Sequence, residues 1–282
     1  MSPLHAVLLG IIQGLTEFLP ISSTAHLTLA GKIFHFIDGQ HPEAWTEFIA
    51  VMQLGTLAAV ILYFRRDILT MTAAVLGDLR TKGQDLRSYT PESWMAFYIA
   101  IGTVPVAIIG YGLKHVIEGS LTKVTLVIIG SLVALAALLW LAEKVSSRLR
   151  PLQSVTWKDA LVIGCAQALA LIPGASRSGT TITAALFLGF NRNAAARFSF
   201  LLSMPAVFAS GIFELSRIKG SAFELGAGNL VIATVVSAAA GYAAIAWLLR
   251  YLMKNSTMVF VWYRLGLGLL LSILLVYSVI LP

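Results

Sequence analysis

Six uninterrupted apolar runs, at about 45–64, 95–114, 122–143, 197–217, 228–250 and 258–281, decide what this chain can become. Each reaches the roughly 17–25 residues that a helix needs to cross a bilayer. In hydrocarbon every backbone N–H and C=O must be satisfied within the protein, so such runs become α-helices. A membrane β-barrel is excluded, because its strands would alternate apolar and polar residues. Only 12% of the residues are charged, against about 25% in soluble domains, and the mean hydropathy is +0.85. The chain is therefore read as an all-α polytopic membrane protein.

Two further apolar stretches are broken. Gln13–His26 reads Q-G-L-T-E-F-L-P-I-S-S-T-A-H, and Gln167–Thr181 reads Q-A-L-A-L-I-P-G-A-S-R-S-G-T-T. In both, a helical approach carries a Gln, a Pro stops it, and hydroxyl residues stand ready to cap a new helix. Helices are expected at 3–18 and about 23–36, and again within about 157–190. Each pair forms a re-entrant hairpin, permitted only where protein or water shields its backbone. The restarting helices would present free N–H groups and a positive dipole end, which suits an anion.

The two halves, 1–150 and 151–282, repeat one plan: a broken pair followed by three spans. Gly10–Gln13, G-I-I-Q, echoes Gly164–Gln167, G-C-A-Q, and the sequence from Phe48 aligns loosely with that from Phe198. Three crossings per half is an odd number, so the second half is expected to be inverted, with the site near the midplane where the repeats meet. Thirteen basic residues fall on the side of the first loop: Arg65, Arg66, Arg80, Lys82, Arg87, Lys144, Arg148, Arg150, Lys158, Arg192, Arg197, Arg250 and Lys254. Lys32, Lys114, Lys123, Arg217 and Lys219 fall on the other. This asymmetry puts the polar loop after residue 64 inside and both termini outside. It also accounts for the net charge of +7 without nucleic acid. Cys165 is the single cysteine, so no disulfide forms within the chain. The N-terminus lacks a basic n-region and is expected to be retained.

Glu17 is a carboxylate in apolar sequence, costly to bury, and Gln13 lies one turn earlier on the same face. Glu17 at the membrane surface, merely ending its helix, is the plainer alternative. Arg177 opens a new helix, where the dipole disfavours a cation unless an anion faces it. An Arg fork beside free N–H groups suits phosphate; an interfacial, snorkelling Arg177 is the alternative. Ser23 needs a base to become a nucleophile, and His26, three residues on, or Glu17 can serve; alone, His26 reads as a hydrogen-bonding core residue. Glu47 and Gln53 are read as support behind the site. Arg264, beside Trp262 and Tyr263, is read as an interfacial anchor.

The sequence resembles the undecaprenyl pyrophosphate phosphatase family of bacterial membrane proteins associated with bacitracin resistance. Gln13–Glu17 with F-L-P-I-S-S-T-A-H matches its (Glu/Gln)-x-x-x-Glu block, P-G-A-S-R-S-G-T-T from Pro173 its P-G-x-S-R-S-G block, and Phe198–Pro205 a third. The resemblance implies hydrolysis of undecaprenyl pyrophosphate to undecaprenyl phosphate and inorganic phosphate, recycling the lipid carrier for cell-wall synthesis in the bacterial inner membrane. It implies a divalent cation, Mg²⁺ or Ca²⁺, a site open to the outer, periplasmic face, and bacitracin as a competitor for the substrate. A homodimer is a further expectation. Carried over by position, Glu17 is a catalytic carboxylate and a metal ligand with Gln13, Ser23 the nucleophile, His26 a proton-transfer aid and Arg177 the phosphate clamp. Ser22, Thr24, Ser176, Ser178, Gly179 and Thr181 would bind phosphate. Two positions depart: Gln13 stands where many members have Glu, and Arg197 where Glu is common.

Two rivals remain. A secondary transporter or lipid-phosphate flippase would share inverted repeats and broken helices. Lipid phosphatases with a K-x₆-R-P…P-S-G-H…S-R-x₅-H-x₃-D signature need a late histidine, and no His follows His115.

Overall fold

A computed structural model describes residues 1–37, 42–83, 85–113, 125–215 and 226–280. Helix α1 (Pro3–Phe18) starts where the Ser2 hydroxyl accepts from the His5 N–H and Pro3 occupies the first turn. It stops because Pro20 forces Leu19 into extended backbone, ψ 140°. Helix α2 (Ser23–Ile33) restarts at once. The second break follows the same course. Helix α7 (Trp157–Ala168) opens on a Thr156/Asp159 capping box and runs into a 3₁₀ turn, Leu169–Leu171. Pro173 follows Ile172, extended at ψ 121°, and α8 (Arg177–Phe187) begins.

Among the described residues six helices are long and apolar enough to cross a membrane. They lie in α3 (Pro42–Tyr63), α5 (Pro91–Gly112), α6 (Thr125–Val145), α9 (Arg192–Leu215), α10 (Ala227–Leu252) and α11 (Met258–Val276). The polar stretch after residue 64 is not the loop expected from its charge. It is helix α4 (Arg65–Lys82), with Leu69, Leu76 and Leu79 exposed and spaced to share one face. Four of the five basic residues assigned outside, Lys114, Lys123, Arg217 and Lys219, lie outside the described residues.

The halves exchange partners. Helix α1 packs on α10, and α7 packs on α5. Both contacts require glycine. A Cβ on Gly14 would stand 2.6 Å from Ser237 O, and one on Gly164 only 2.1 Å from Gly102 O, closer than backbone allows. Such small-residue seams let membrane helices approach closely. Helix α9 touches α3, α5, α8 and α10, and its Phe198, Phe200, Leu201 and Leu202 lie in the largest core cluster.

Ion pairs tie helix ends away from the breaks. Glu143 accepts from Arg148, Arg192 and Thr257, joining α6, α9 and α11. Arg150 binds Asp159 through both nitrogens at 2.9 and 2.7 Å and lies over the Phe190 ring. Arg197 pairs with Asp67 at 2.6 Å, linking α9 to α4. Arg197, where the resemblance led to a Glu, therefore serves a contact between helices.

Candidate active site

Restarting a helix directly after a proline turn needs an unusual cap at each break. Ser22 (φ 75°) and Ser176 (φ 69°) both hold positive φ, a conformation that costs a residue with a side chain about 1–3 kcal/mol. In return Ser22 Oγ accepts from the Ala25 N–H and Ser176 Oγ from the Gly179 N–H. The amides of Ser23, Thr24, Arg177 and Ser178 stand at helix starts, where no carbonyl of their own helix can accept from them. Both breaks thus expose donors of the kind that bind anions.

The breaks meet. Ser178 Oγ donates to Leu19 O across them at 3.1 Å. Arg177 of α8 forms an ion pair with Glu17 of α1, 160 residues earlier. The same carboxylate accepts from Ser23 Oγ at 2.8 Å and from Gln13 Nε2 at 3.2 Å. Glu17 is no surface residue: its side chain is only 7% exposed.

A cavity of about 190 Å³ opens over this cluster, lined by Glu17, Ser22, Ser23, Thr24, Gln53, Gln167, Ser176, Arg177 and Ser210, with Val106, Ala170, Leu171 and Ala206. The lining combines charged, hydroxyl and amide groups with apolar side chains. Glu47 is not among its lining residues. Val106 and Ala206 directly follow Pro105 and Pro205, each inside a helix, where a proline removes one backbone bond. A larger cavity of about 560 Å³ lies among α4, α5 and the 3₁₀ turn Leu152–Ser154. It holds Arg66, Asp67 and Glu92 but neither break.

Some expected residues sit behind this surface. Thr181 is fully buried, its hydroxyl donating to Arg177 O at 2.8 Å and lying 2.5 Å from Ser199 Oγ. Ser178 faces Leu19, and the Gly179 amide is spent on the cap. These three shape the turn that aims Arg177; they do not line the cavity. His26 does not face Ser23 either. Its Nδ1 lies 2.7 Å from Ser22 O, so this nitrogen carries the proton, and Nε2 accepts from Tyr263 Oη at 2.7 Å. Ser23 has Glu17 as its proton acceptor.

Arg264 corrects the expectation of an interfacial anchor. Trp262 and Tyr263 are exposed (65% and 46%), but Arg264 is 0% exposed, because two residues along a helix turn about 200°. Its guanidinium donates to Pro20 O at 3.3 Å, Gly174 O and Ala175 O at 3.2 Å, and Leu132 O and Ser131 O of α6 at 3.2 and 3.4 Å. Carbonyls stranded by both proline breaks thus share one cation. The sequence carries a signal for this: an Arg inside a span, and two proline breaks elsewhere whose carbonyls have no helical N–H to accept from.

Among the described residues there is no group of three or more His, Cys, Asp or Glu able to hold a metal. A hard cation needs less, since Mg²⁺ is often held by one or two carboxylates plus substrate phosphates. Glu17 together with Gln13 Oε1, buried and without a hydrogen-bond partner, fits that oxygen-only donor set.

Fold and site together define an all-α polytopic membrane protein with a hydroxyl, a carboxylate and a guanidinium converging at two broken helices. Residues 6–270 match the family described as Bacitracin resistance protein BacA, and the chain belongs to that family. Similar relatives match nearly its whole length. An undecaprenyl-diphosphatase of Syntrophobacter fumaroxidans is 51% identical over 95% of both chains. One of Myxococcus xanthus is 49% identical over 98% of this chain and 90% of its own. One of Chlorobium phaeovibrioides is 48% identical over 100% of both.

Proposed function

We propose that this protein hydrolyses undecaprenyl diphosphate to undecaprenyl phosphate and inorganic phosphate, the activity for which its relatives are named. The observation that carries this reading is the convergence on Glu17 of Ser23 Oγ from one break and Arg177 from the other. Phosphoryl transfer asks mainly for positioning and charge stabilisation, and this cluster offers both. The diphosphate meets the polar groups of the cavity while the prenyl tail leaves past Val106, Leu171 and Ala206 into lipid.

Ser23 gives its proton to Glu17 as its Oγ attacks the terminal phosphorus. An Oγ–P bond forms, the anhydride P–O bond breaks, and undecaprenyl phosphate departs. Arg177, turning from Glu17 to the phosphate, holds the non-bridging oxygens of the group in transfer. Water then attacks the phosphoserine, releasing inorganic phosphate and returning Ser23. A divalent cation, Mg²⁺ or Ca²⁺, would be held by Glu17, Gln13 and the diphosphate itself, and would neutralise charge on the phosphate oxygens.

The unit joins both halves, 1–150 and 151–282, as inverted repeats. The matched Ser22 and Ser176 caps and the exchanged packing of α1 and α7 support that reading. The protein would work in the bacterial inner membrane with its cavity open to the periplasmic face, where bacitracin competes for the same lipid.

The test is phosphate release from undecaprenyl diphosphate by purified protein in detergent, where a transporter or flippase yields none. Wild type should turn over. Glu17→Gln and Ser23→Ala should each lose about 10²–10⁴-fold, and acid quenching should trap phosphoserine at Ser23. No release by wild type would sink the proposal; near-normal turnover by Ser23→Ala would transfer the attack to water.

A further inference from the structure

Gln167 brings a second, unused amide to the cavity. Its side chain is fully buried and lines the cavity wall, yet neither Oε1 nor Nε2 has a hydrogen-bond partner in the structure. A buried polar group is normally paired, because leaving it bare forfeits its hydration. Nor is the placement loose. Gln167 continues the buried stripe Ala160, Ile163 and Gly164 of α7, and Gly164 locks that stripe against Gly102 of α5.

Its counterpart shows what is missing. Gln13 spends Nε2 on Glu17, four residues on. Four residues after Gln167 stands Leu171, so the repeat has kept the amide and lost the carboxylate. Leu171 lines the same cavity, as do the apolar Val106 and Ala206 and the polar Ser176 and Arg177.

We infer that Gln167 binds the lipid-attached phosphate of the diphosphate, its Nε2–H donating to a non-bridging oxygen. This rests on the proposed phosphatase reading and deepens it. With the terminal phosphate at Ser23 and Arg177, the lipid-attached phosphate one anhydride bond away falls to the remaining polar lining, where Gln167 is a buried group without a partner. A neutral amide suits that place. It donates to the lipid-attached phosphate without adding a second cation to the cavity lining. The amide explains how one cavity can grip a diphosphate with a single arginine.

The test uses the full chain in detergent with Gln167→Met, which keeps length and removes both polar atoms. Direct equilibrium binding of radiolabelled undecaprenyl phosphate should weaken about tenfold, one hydrogen bond's worth. Direct binding of radiolabelled inorganic phosphate, which needs only Arg177 and the helix starts, should stay within twofold. The melting temperature should hold or rise, since no internal bond is lost. Unchanged lipid-phosphate binding would overturn the inference and leave water as the partner of Gln167. An equal loss for inorganic phosphate, or a clear fall in melting temperature, would overturn it too, by making Gln167 a general support of the site. Because the binding readout needs no turnover, it stands apart from failure of the phosphatase reading itself.

Discussion

Replacing Arg264 with methionine puts the junction of the two breaks under direct test. The guanidinium makes five contacts at 3.2–3.4 Å. Leu132 O and Ser131 O belong to α6 and keep the ladder bonds of that helix. Pro20 O, Gly174 O and Ala175 O lie in the broken segments, where no helical N–H reaches them. Stranding a buried carbonyl costs about 1–3 kcal/mol, and these bonds are long, so three of them come to roughly 3–4 kcal/mol. For a chain of this size that corresponds to a fall of about 6–16 °C in melting temperature. Relief of the buried charge offsets part of this, but breaking up a buried charged network by removing one member is strongly destabilising as a rule. The assay is thermal unfolding in detergent followed by phosphate release from the surviving folded fraction. Turnover should fall at least about tenfold, because Glu17 and Arg177 are held together only as well as their breaks are. Arg264→Lys, with fewer donors in a different geometry, should lie between the two. A methionine variant melting within 2 °C of wild type with unaltered turnover would refute the reasoning.

Gly164→Ala should be poorly tolerated, since its Cβ would meet Gly102 O at 2.1 Å. Gly130→Ala in α6, with nothing within 4 Å, should be neutral or gain up to about 1 kcal/mol, and paired melting curves check both. Asp78 predicts a pH dependence. Lys82, Thr90 and Ser93 hold its carboxyl well below the usual carboxylate range. A depressed carboxyl stabilises above its unfolded value and loses that contribution only as pH falls through the folded value. Asp78→Asn should therefore lower the melting temperature throughout pH 5–8, and the gap to wild type should close only in strong acid.

How much of this was legible beforehand depends on whether the cause is local. The breaks at Pro20 and Pro173 follow from a missing N–H and a clash with the preceding residue, so chain order reveals them. Gln13 and Glu17 share a face because one helical turn sets them there. Helix α4 could also have been read, since Leu69, Leu76 and Leu79 recur at helical spacing; its charges obscured the pattern. His26 was placed near Ser23 by spacing alone, and spacing says nothing of Tyr263, 237 residues away.

Chain order dictates where helices span, where they break and which residue types stand at the breaks, because propensity, proline geometry and hydration act on neighbours along the chain. It takes the packed molecule to show that Glu17 meets Arg177, that Arg264 turns inward while Trp262 faces out, and that Gln167 lacks the partner Gln13 has. Those outcomes depend on which helix faces pack together, and packing is settled by close approach between segments that chain order leaves far apart.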